Sequence, residues 1–178
     1  TGALKPETRI VFDTDKTLTA AESIRLETPA IVVNGAAASV DAPYVAIGTR
    51  YTNDQNSRAG GALPLNGSFT ANAEFIDLLG DVAFRDAQKV MLNSHGDIRL
   101  RGGLAAEGAR DLPAGSLKAY GDVELLASQI YTATQTSYTF DLPSANSVFT
   151  ARNQSDGTFR IDDEYAVYSA LGTLNVNA

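Results

Sequence analysis

Charged residues at the centre of short apolar triplets are the first feature of this sequence that could support chemistry. Asp77, Arg99 and Glu124 each stand between two apolar residues. On a half-buried strand such a triplet puts two side chains inside and one outside. An external groove with paired carboxylates, or with an arginine among carboxylates, would suit a polysaccharide-cleaving enzyme. Opposite charges at strand spacing also stabilise strand register, and we favour this charged ladder, up one face, over catalysis.

Other residues with catalytic or metal-binding potential lack the required partners. His95 is the only histidine, and no nucleophile and orienting acid can be assigned to it, so we predict a turn residue. Residues 153–157 and 161–164 supply oxygen atoms that suit hard cations, but they lack the spacing of a calcium-binding loop. We therefore predict a non-enzymatic protein with no catalytic residue, no metal and no cofactor.

Tyrosines beside loop-like segments are candidates for ligand binding. Tyr44 and Tyr51 flank one such segment, and Tyr131 and Tyr138 flank residues 132–137. Exposed aromatic rings stack on sugars, while hydroxyls and amides can complete a shallow site. The same residues are strong β-formers that pack at strand ends, and we favour this interpretation. The candidate binding residues are Tyr44, Arg50, Tyr51, Arg58, Tyr131 and Tyr138.

Composition narrows the class of partner. The 178 residues include 14 Lys and Arg against 21 Asp and Glu, a net charge of −7, which argues against nucleic acid and anionic membranes. There is no cysteine, which excludes disulfides and thiolate sites. No apolar run approaches the roughly 20 residues of a membrane span. The opening residues do not resemble a signal peptide, so we expect a mature product or a fragment.

The triplets recur at intervals typical of a solenoid. They begin at Ile24, Ile76, Ile98 and Val123, and the last three are separated by about 22 and about 25 residues, which is the length of one solenoid coil. The longer interval between Ile24 and Ile76 corresponds to about two coils plus an insertion. A second cassette recurs at residues 16–20, 67–71, 115–119 and 172–176.

These repeats predict an all-β, right-handed parallel β-helix (β-solenoid) with three short strands per coil of about 22–25 residues. We expect one domain over residues 1–178, part of a larger protein, with loop insertions at about 48–67 and 101–115. Residues 141–178 are predicted to cap one end in part. The predicted core consists of Leu18, Ile24, Leu26, Phe69, Ile76, Leu78, Val90, Leu92, Ile98, Leu100, Leu117, Val123, Leu125, Leu174 and Val176.

Two segments resemble a known family. Residues 115–131, which run from Gly-Ser-Leu to Gln-Ile-Tyr, are similar to the late repeat region of filamentous-haemagglutinin exoproteins. Residues 94–102, with the run Gly-Asp-Ile-Arg-Leu, resemble a turn and strand of the same family. The resemblance covers about residues 67–140. Since no Asn-Pro pair is present, we expect the shaft or C-terminal part rather than the secretion domain.

The resemblance implies a function at the bacterial surface. It implies two-partner secretion with an outer-membrane partner, display or release outside the cell, and a role in adhesion, aggregation or biofilm. The expected partner is a host or bacterial cell-surface receptor or glycan, with no membrane insertion. A stalk that carries a contact-dependent toxin and a β-helix polysaccharide-active enzyme are the alternatives.

Overall fold

The structure is a computed structural model that describes the backbone of residues 2–4 and all of residues 9–50, 65–103, 113–153 and 172–178. Within these ranges the chain forms 18 β-strands and no helix, which confirms the predicted all-β class. Over the same ranges, therefore, no helical segment has the length and apolarity to cross a membrane.

The strands form three six-stranded sheets, which we name sheets I, II and III in the order in which the chain enters them. Sheet I contains β1 (Gly2–Leu4), β4 (Ser23–Leu26), β7 (Tyr44–Gly48), β9 (Phe75–Leu79), β12 (Asp97–Arg101) and β15 (Gln129–Thr132). Sheet II contains β2 (Ile10–Phe12), β5 (Ala30–Val33), β10 (Asp81–Arg85), β13 (Ala114–Ala119), β16 (Ser137–Asp141) and β18 (Thr173–Asn177). Sheet III contains β3 (Lys16–Thr19), β6 (Ala37–Asp41), β8 (Gly67–Ala73), β11 (Ala87–Ser94), β14 (Asp122–Ala127) and β17 (Phe149–Asn153).

Each circuit through sheets I, II and III makes one coil, and successive coils stack. Every pairing between these strands is parallel. Parallel strands need a long crossover connection, which is supplied here by the strands of the other two sheets. The predicted parallel β-helix is therefore confirmed.

The register confirms the first two intervals of the predicted repeat. Ile98 pairs with Ile76, its counterpart one coil earlier. Ile24 pairs with Val45, which in turn pairs with Ile76. The interval from Ile24 to Ile76 therefore spans two coils, and the longer of these two contains residues 51–64.

The third interval of the predicted repeat is wrong. Val123 lies in sheet III and pairs with Val90, whereas the partner of Ile98 in the next coil is Ile130. The apolar–charged–apolar pattern does not distinguish the three sheets, because it suits a half-buried strand of any of them. The coil that starts at Ile98 therefore closes at Ile130 rather than at Val123. It is longer than predicted, and it contains residues 104–112.

The second cassette is also divided between sheets. Its copies at residues 16–20 and 67–71 coincide with β3 and β8 of sheet III, while those at 115–119 and 172–176 coincide with β13 and β18 of sheet II. A small polar residue followed by a large apolar one fits the start of a strand after a corner in any sheet, so the cassette does not identify the sheet.

The first predicted insertion falls in a coil whose described strands belong to sheets I and III only. In sheet II, β10 pairs directly with β5, so this coil contributes no described strand between them. The chain leaves sheet I there at Gly48, which has φ +119 and whose added Cβ would lie 2.0 Å from the Leu79 carbonyl oxygen. Only glycine fits such a close stack. Residues 51–64 and 104–112, within the two predicted insertions, lie outside the described residues.

The core fills the space between the three sheets. Twelve of the fifteen predicted core residues are buried, among them Ile76 and Ile98 at 0% exposure, because alternate residues of each strand point inward. Aromatic rings that the repeat did not single out extend this core: Phe84 packs 5.0 Å from Phe69, and Tyr138 packs 5.6 Å from Phe140, measured between ring centroids.

Three predicted core residues behave differently. Leu18 is only partly buried, and Leu174 and Val176 are 45% and 46% exposed. Both of the latter lie on β18, the edge strand of sheet II, where no further described strand covers them. Within the predicted cap, β17 and β18 pair with β14 and β16 and continue the stack, while residues 154–171 lie outside the described residues.

Candidate functional site

The outward side of sheet I carries a cluster of charged and aromatic side chains. Strand register aligns five outward positions in one row, which we call the central column. Its members, in order along the stack, are Arg25, Ala46, Asp77, Arg99 and Tyr131. Adjacent members are one strand apart, about 4.8 Å, so they are neighbours on the sheet although a whole coil separates them in sequence.

Asp77 is the centre of a polar network on this side. Its carboxylate accepts hydrogen bonds from the Tyr44 hydroxyl at 2.6 Å and from Arg99 through Nε at 2.7 Å and Nη2 at 2.9 Å. The Arg101 Nη1 is a weaker partner at 3.5 Å. These side chains cover Asp77 completely, and its exposure is 0%. A buried carboxylate is tolerable because both of its oxygens are bonded to charged or polar donors.

The network fixes the protonation of its members. Burial alone would raise the pKa of Asp77, but hydrogen bonds from Arg99 and Tyr44 and two positive charges hold that pKa below its ordinary value. Burial and the bond to Asp77 raise the pKa of Tyr44 to about 12. The hydrogen bond to Asp77 raises the pKa of Arg99. At neutral pH the group therefore consists of a carboxylate, a phenol and a guanidinium.

Aromatic rings and arginines interleave beside the central column. Tyr44 stacks on Phe75 in the next strand, with ring centroids 6.3 Å apart and ring planes 20° apart. The Arg25 guanidinium lies 5.8 Å from the Tyr44 centroid, and that of Arg99 lies 5.1 Å from the Phe75 centroid. Each cation thus faces the π-system of a ring, which holds the arginine side chains against the sheet.

A pocket of about 350 Å³ opens between these side chains. Its described lining consists of Arg25, Tyr44, Ala46, Arg50, Leu79, Arg101 and Gly102. The pocket lies where the central column has its smallest side chain, since Ala46 offers only a methyl group between a neighbouring arginine and aspartate. Three guanidinium groups and a tyrosine therefore surround a gap in an otherwise continuous row of large side chains.

A smaller cavity of about 200 Å³ lies at the corner between sheets III and I. Asp41, Glu74 and His95 are among its lining residues. His95 is exposed and lies in a bend, and its backbone N–H donates to the Ala73 carbonyl at 2.8 Å, which agrees with the predicted turn. Among the residues that the structure describes, no group of three or more side chains is arranged to hold a metal.

The charged ladder predicted from the triplets is only partly correct. Asp77 and Arg99 are neighbours in sheet I and form an ion pair. Glu124 lies in sheet III instead, where its carboxylate contacts Lys89 Nζ at 2.7 Å. The error has the same origin as the wrong interval at Val123, because the triplet does not specify its sheet.

The predicted binding residues have different locations. Tyr44 and Arg50 line the pocket. Tyr131 is half-buried next to Arg99 in the central column. Tyr138 is 0% exposed in the core, so its ring packs and is not presented to a ligand. Tyr51 and Arg58 lie outside the described residues, as do residues 161–164 of the candidate calcium segment.

Three residues of this site, Arg25, Arg101 and Phe75, are not among the predicted binding residues, although their positions in the sequence carry a signal. Arg25 stands in the same triplet pattern as Arg99, and Tyr44 opens β7, which lies between their two strands in sheet I. Placing these three strands in one sheet would have revealed the central column. Arg101 and Phe75 flank two of the triplets and occupy the outward positions beside them. Ala46 gives no signal, since an alanine in a strand carries no functional chemistry by itself.

The fold and the outward side of sheet I together define a parallel β-helix protein with an external pocket whose described lining includes three arginines and a tyrosine. Comparisons with protein-family models, curated proteins and solved structures gave no significant match.

Proposed function

We propose that this chain is a non-enzymatic shaft segment of a large secreted bacterial exoprotein of the filamentous-haemagglutinin type, and that the outward face of sheet I binds a cell-surface glycan. In this role the protein acts in adhesion, aggregation or biofilm. The observation that carries the proposal is the pocket on sheet I, where the ring of Tyr44, packed on the neighbouring Phe75, lies beside three guanidinium donors. Ring faces and planar donors are the groups that recognise sugars.

The solenoid supports a shaft because each coil contacts only its neighbours and stability is a sum over coils. Ion pairs along the stack reinforce this: Lys118 Nζ lies 2.9 Å from Asp141 in sheet II, and Lys89 contacts Glu124 in sheet III. A rod of this kind keeps the outward rows of side chains in register. A glycan chain can therefore lie along a rigid row.

The protonation states favour binding over catalysis. A general base must accept a proton near neutral pH, yet Tyr44, with its pKa raised to about 12, is held as a phenol. Asp77 is fully buried and already accepts three close hydrogen bonds. The described residues that line the pocket include no carboxylate and no histidine.

The test is a glycan array and a cell-attachment assay with the purified chain and two variants. Arg25→Ala with Tyr44→Ala removes one cation and one ring from the pocket, and Arg152→Ala removes an exposed arginine from sheet III. We expect the double variant to lose retention on the array and Arg152→Ala to keep it. Equal binding by all three proteins, or no glycan retained by the native chain, would refute the proposed binding face.

Membership of a secreted exoprotein requires a separate test. An antibody against this chain should label intact bacteria that express the full parent protein, and the label should disappear when the outer-membrane secretion partner is deleted. Labelling that needs permeabilised cells would contradict the proposal.

A further inference from the structure

We infer that the pocket on sheet I is a subsite for the carboxylate of an acidic sugar, a hexuronate residue within a polysaccharide. This inference rests on the proposed glycan-binding function and narrows it to one chemical class. Three features of the pocket support it: its charge, the gap at Ala46, and the pairing of Asp77 with Arg99 in the same column.

The local charge of the pocket is opposite to that of the chain. The chain carries a net charge of −7, but Arg25, Arg50 and Arg101 line one pocket whose described lining includes no acidic residue. Two of these arginines have a carboxylate at long ion-pair distance, since Arg50 lies 3.9 Å from Glu27 and Arg101 lies 3.5 Å from Asp77. A site with remaining guanidinium donor capacity in an acidic protein favours an anionic ligand.

The gap at Ala46 indicates where the anion would bind. In the central column the carboxylate of Asp77 lies one strand from Arg99, and the two groups form a bidentate pair. Position 46 lies between Arg25 on one side and Asp77 on the other, and the side chain there is a methyl group. Ala46 is one of the residues that line the pocket, and since it is only 2% exposed and does not belong to the core cluster, it lies at the bottom of the pocket. A ligand carboxylate above it would lie one strand from Arg25, the spacing that separates Asp77 from Arg99. On its other side the Asp77 carboxylate is already bonded to Tyr44 and Arg99.

The size and the aromatic rings fit one sugar ring. A volume of about 350 Å³ is near the lower end of small-molecule sites, about 300–1,000 Å³. Tyr44 supplies an aromatic wall of the pocket, and its stacking on Phe75 extends the apolar surface towards the next coil. Further sugars of the same chain would lie along the central column in the direction of Tyr131.

A planar carboxylate matches the fork of one guanidinium in the way that the Asp77–Arg99 pair does. Sulfate esters also bind arginine, so the two anions must be compared directly. Oligogalacturonide carries carboxylates alone, its methyl ester has the same sugar backbone without the charge, and dextran sulfate carries sulfates alone.

The experiment is titration calorimetry of the full chain with these three probes. We expect the oligogalacturonide to bind about tenfold or more tightly than its methyl ester, since a charge-assisted hydrogen bond is lost on esterification. Arg25→Gln should weaken oligogalacturonide binding about tenfold, and Arg152→Gln, on sheet III, should leave it unchanged. Circular dichroism melts confirm that the variants fold.

A variant within the gap provides an independent check. Ala46→Asp places a carboxylate in the chain at the position that the ligand would occupy, and it should abolish oligogalacturonide binding, while Ala46→Asn of equal size should weaken it less. If Ala46→Asp fails to fold, Arg25→Gln still decides the matter.

Three outcomes overturn the inference. If the methyl ester binds as tightly as the acid, charge plays no part, while the proposed glycan-binding function stands. If dextran sulfate binds through Arg25 and oligogalacturonide does not, the carboxylate assignment is wrong. If none of the three probes binds, the acidic-sugar assignment fails, and the glycan array with neutral sugars separately decides the proposed function.

Discussion

Replacing Asp77 by Ala tests whether the buried network on sheet I stabilises the solenoid. The substitution removes the common acceptor of Tyr44, Arg99 and Arg101. Two arginines are then left close together with no carboxylate between them, and the Tyr44 hydroxyl loses its 2.6 Å partner. We expect the coils that contain β7, β9 and β12 to be destabilised.

The magnitude follows from the exposure of the partners. Removing one member of a fully buried ion pair costs about 3–5 kcal/mol. Here Asp77 is 0% exposed, but the side chains of Arg99 and Arg101 are 36% and 47% exposed, so both cations can regain water. We therefore expect a loss of about 2–3 kcal/mol. For a chain of this length that corresponds to a fall in Tm of about 4–12 °C.

The assay is urea denaturation followed by circular dichroism, with amide hydrogen exchange to locate the effect. Glu124→Ala is the matched control, because it breaks a cross-strand ion pair of sheet III whose side chains are 44% and 21% exposed and should cost at most about 1 kcal/mol. An Asp77→Ala variant no less stable than Glu124→Ala would refute the reasoning. So would loss of amide protection that is not centred on β9.

Acid titration adds a second readout for the same residue. Because the folded-state pKa of Asp77 lies below its ordinary value, its contribution is present above the unfolded pKa of about 3.9 and is lost as the pH falls towards the folded pKa. Native protein should therefore lose this part of its stability in acid. Asp77→Asn should lack that component, and an identical acid dependence of the two proteins would contradict the network.

The remaining predictions concern the core, the corner at the first insertion and the buried phenol. Ile98→Asp should unfold the middle coils, since an unpaired buried charge costs several kcal/mol, and an unchanged melting curve would refute the register. Gly48→Ala should cost more than about 1 kcal/mol in a urea titration, because its φ is +119 and the added Cβ would meet the Leu79 carbonyl; a neutral result would argue against this stacking. Ultraviolet titration should show one phenol with a pKa of about 12 that Tyr44→Phe removes, and stability from Tyr44 should decline between about pH 10 and 12; loss of a phenol that titrates near 10 instead would contradict the burial.

Sequence reasoning predicted the fold better than the site, and particular residues show why. Strand periodicity and turn residues are local, so the inward positions of Ile76, Leu78 and Ile98 could be read directly. Which sheet a strand joins depends on the length of the intervening loops, and for this reason the triplet at Val123 and Glu124 predicts the wrong row. The aromatic residue Tyr138 satisfies the pattern of a strand end and of a core position equally well, and only packing distinguishes the two.

The pocket on sheet I could not be predicted from the sequence for a related reason. In a solenoid, neighbours on a face are separated by one coil, and the coils here differ in length because some contain insertions. Arg25 and Asp77 both lie one strand from Ala46, yet the segment from Ala46 to Asp77 is the longer one because it includes residues 51–64, so no fixed spacing identifies the pocket. Its chemistry comes from the alignment of individually ordinary residues by register. A single substitution at a position such as Ala46 can therefore create or remove a ligand subsite while the inward-facing core that specifies the fold stays unchanged.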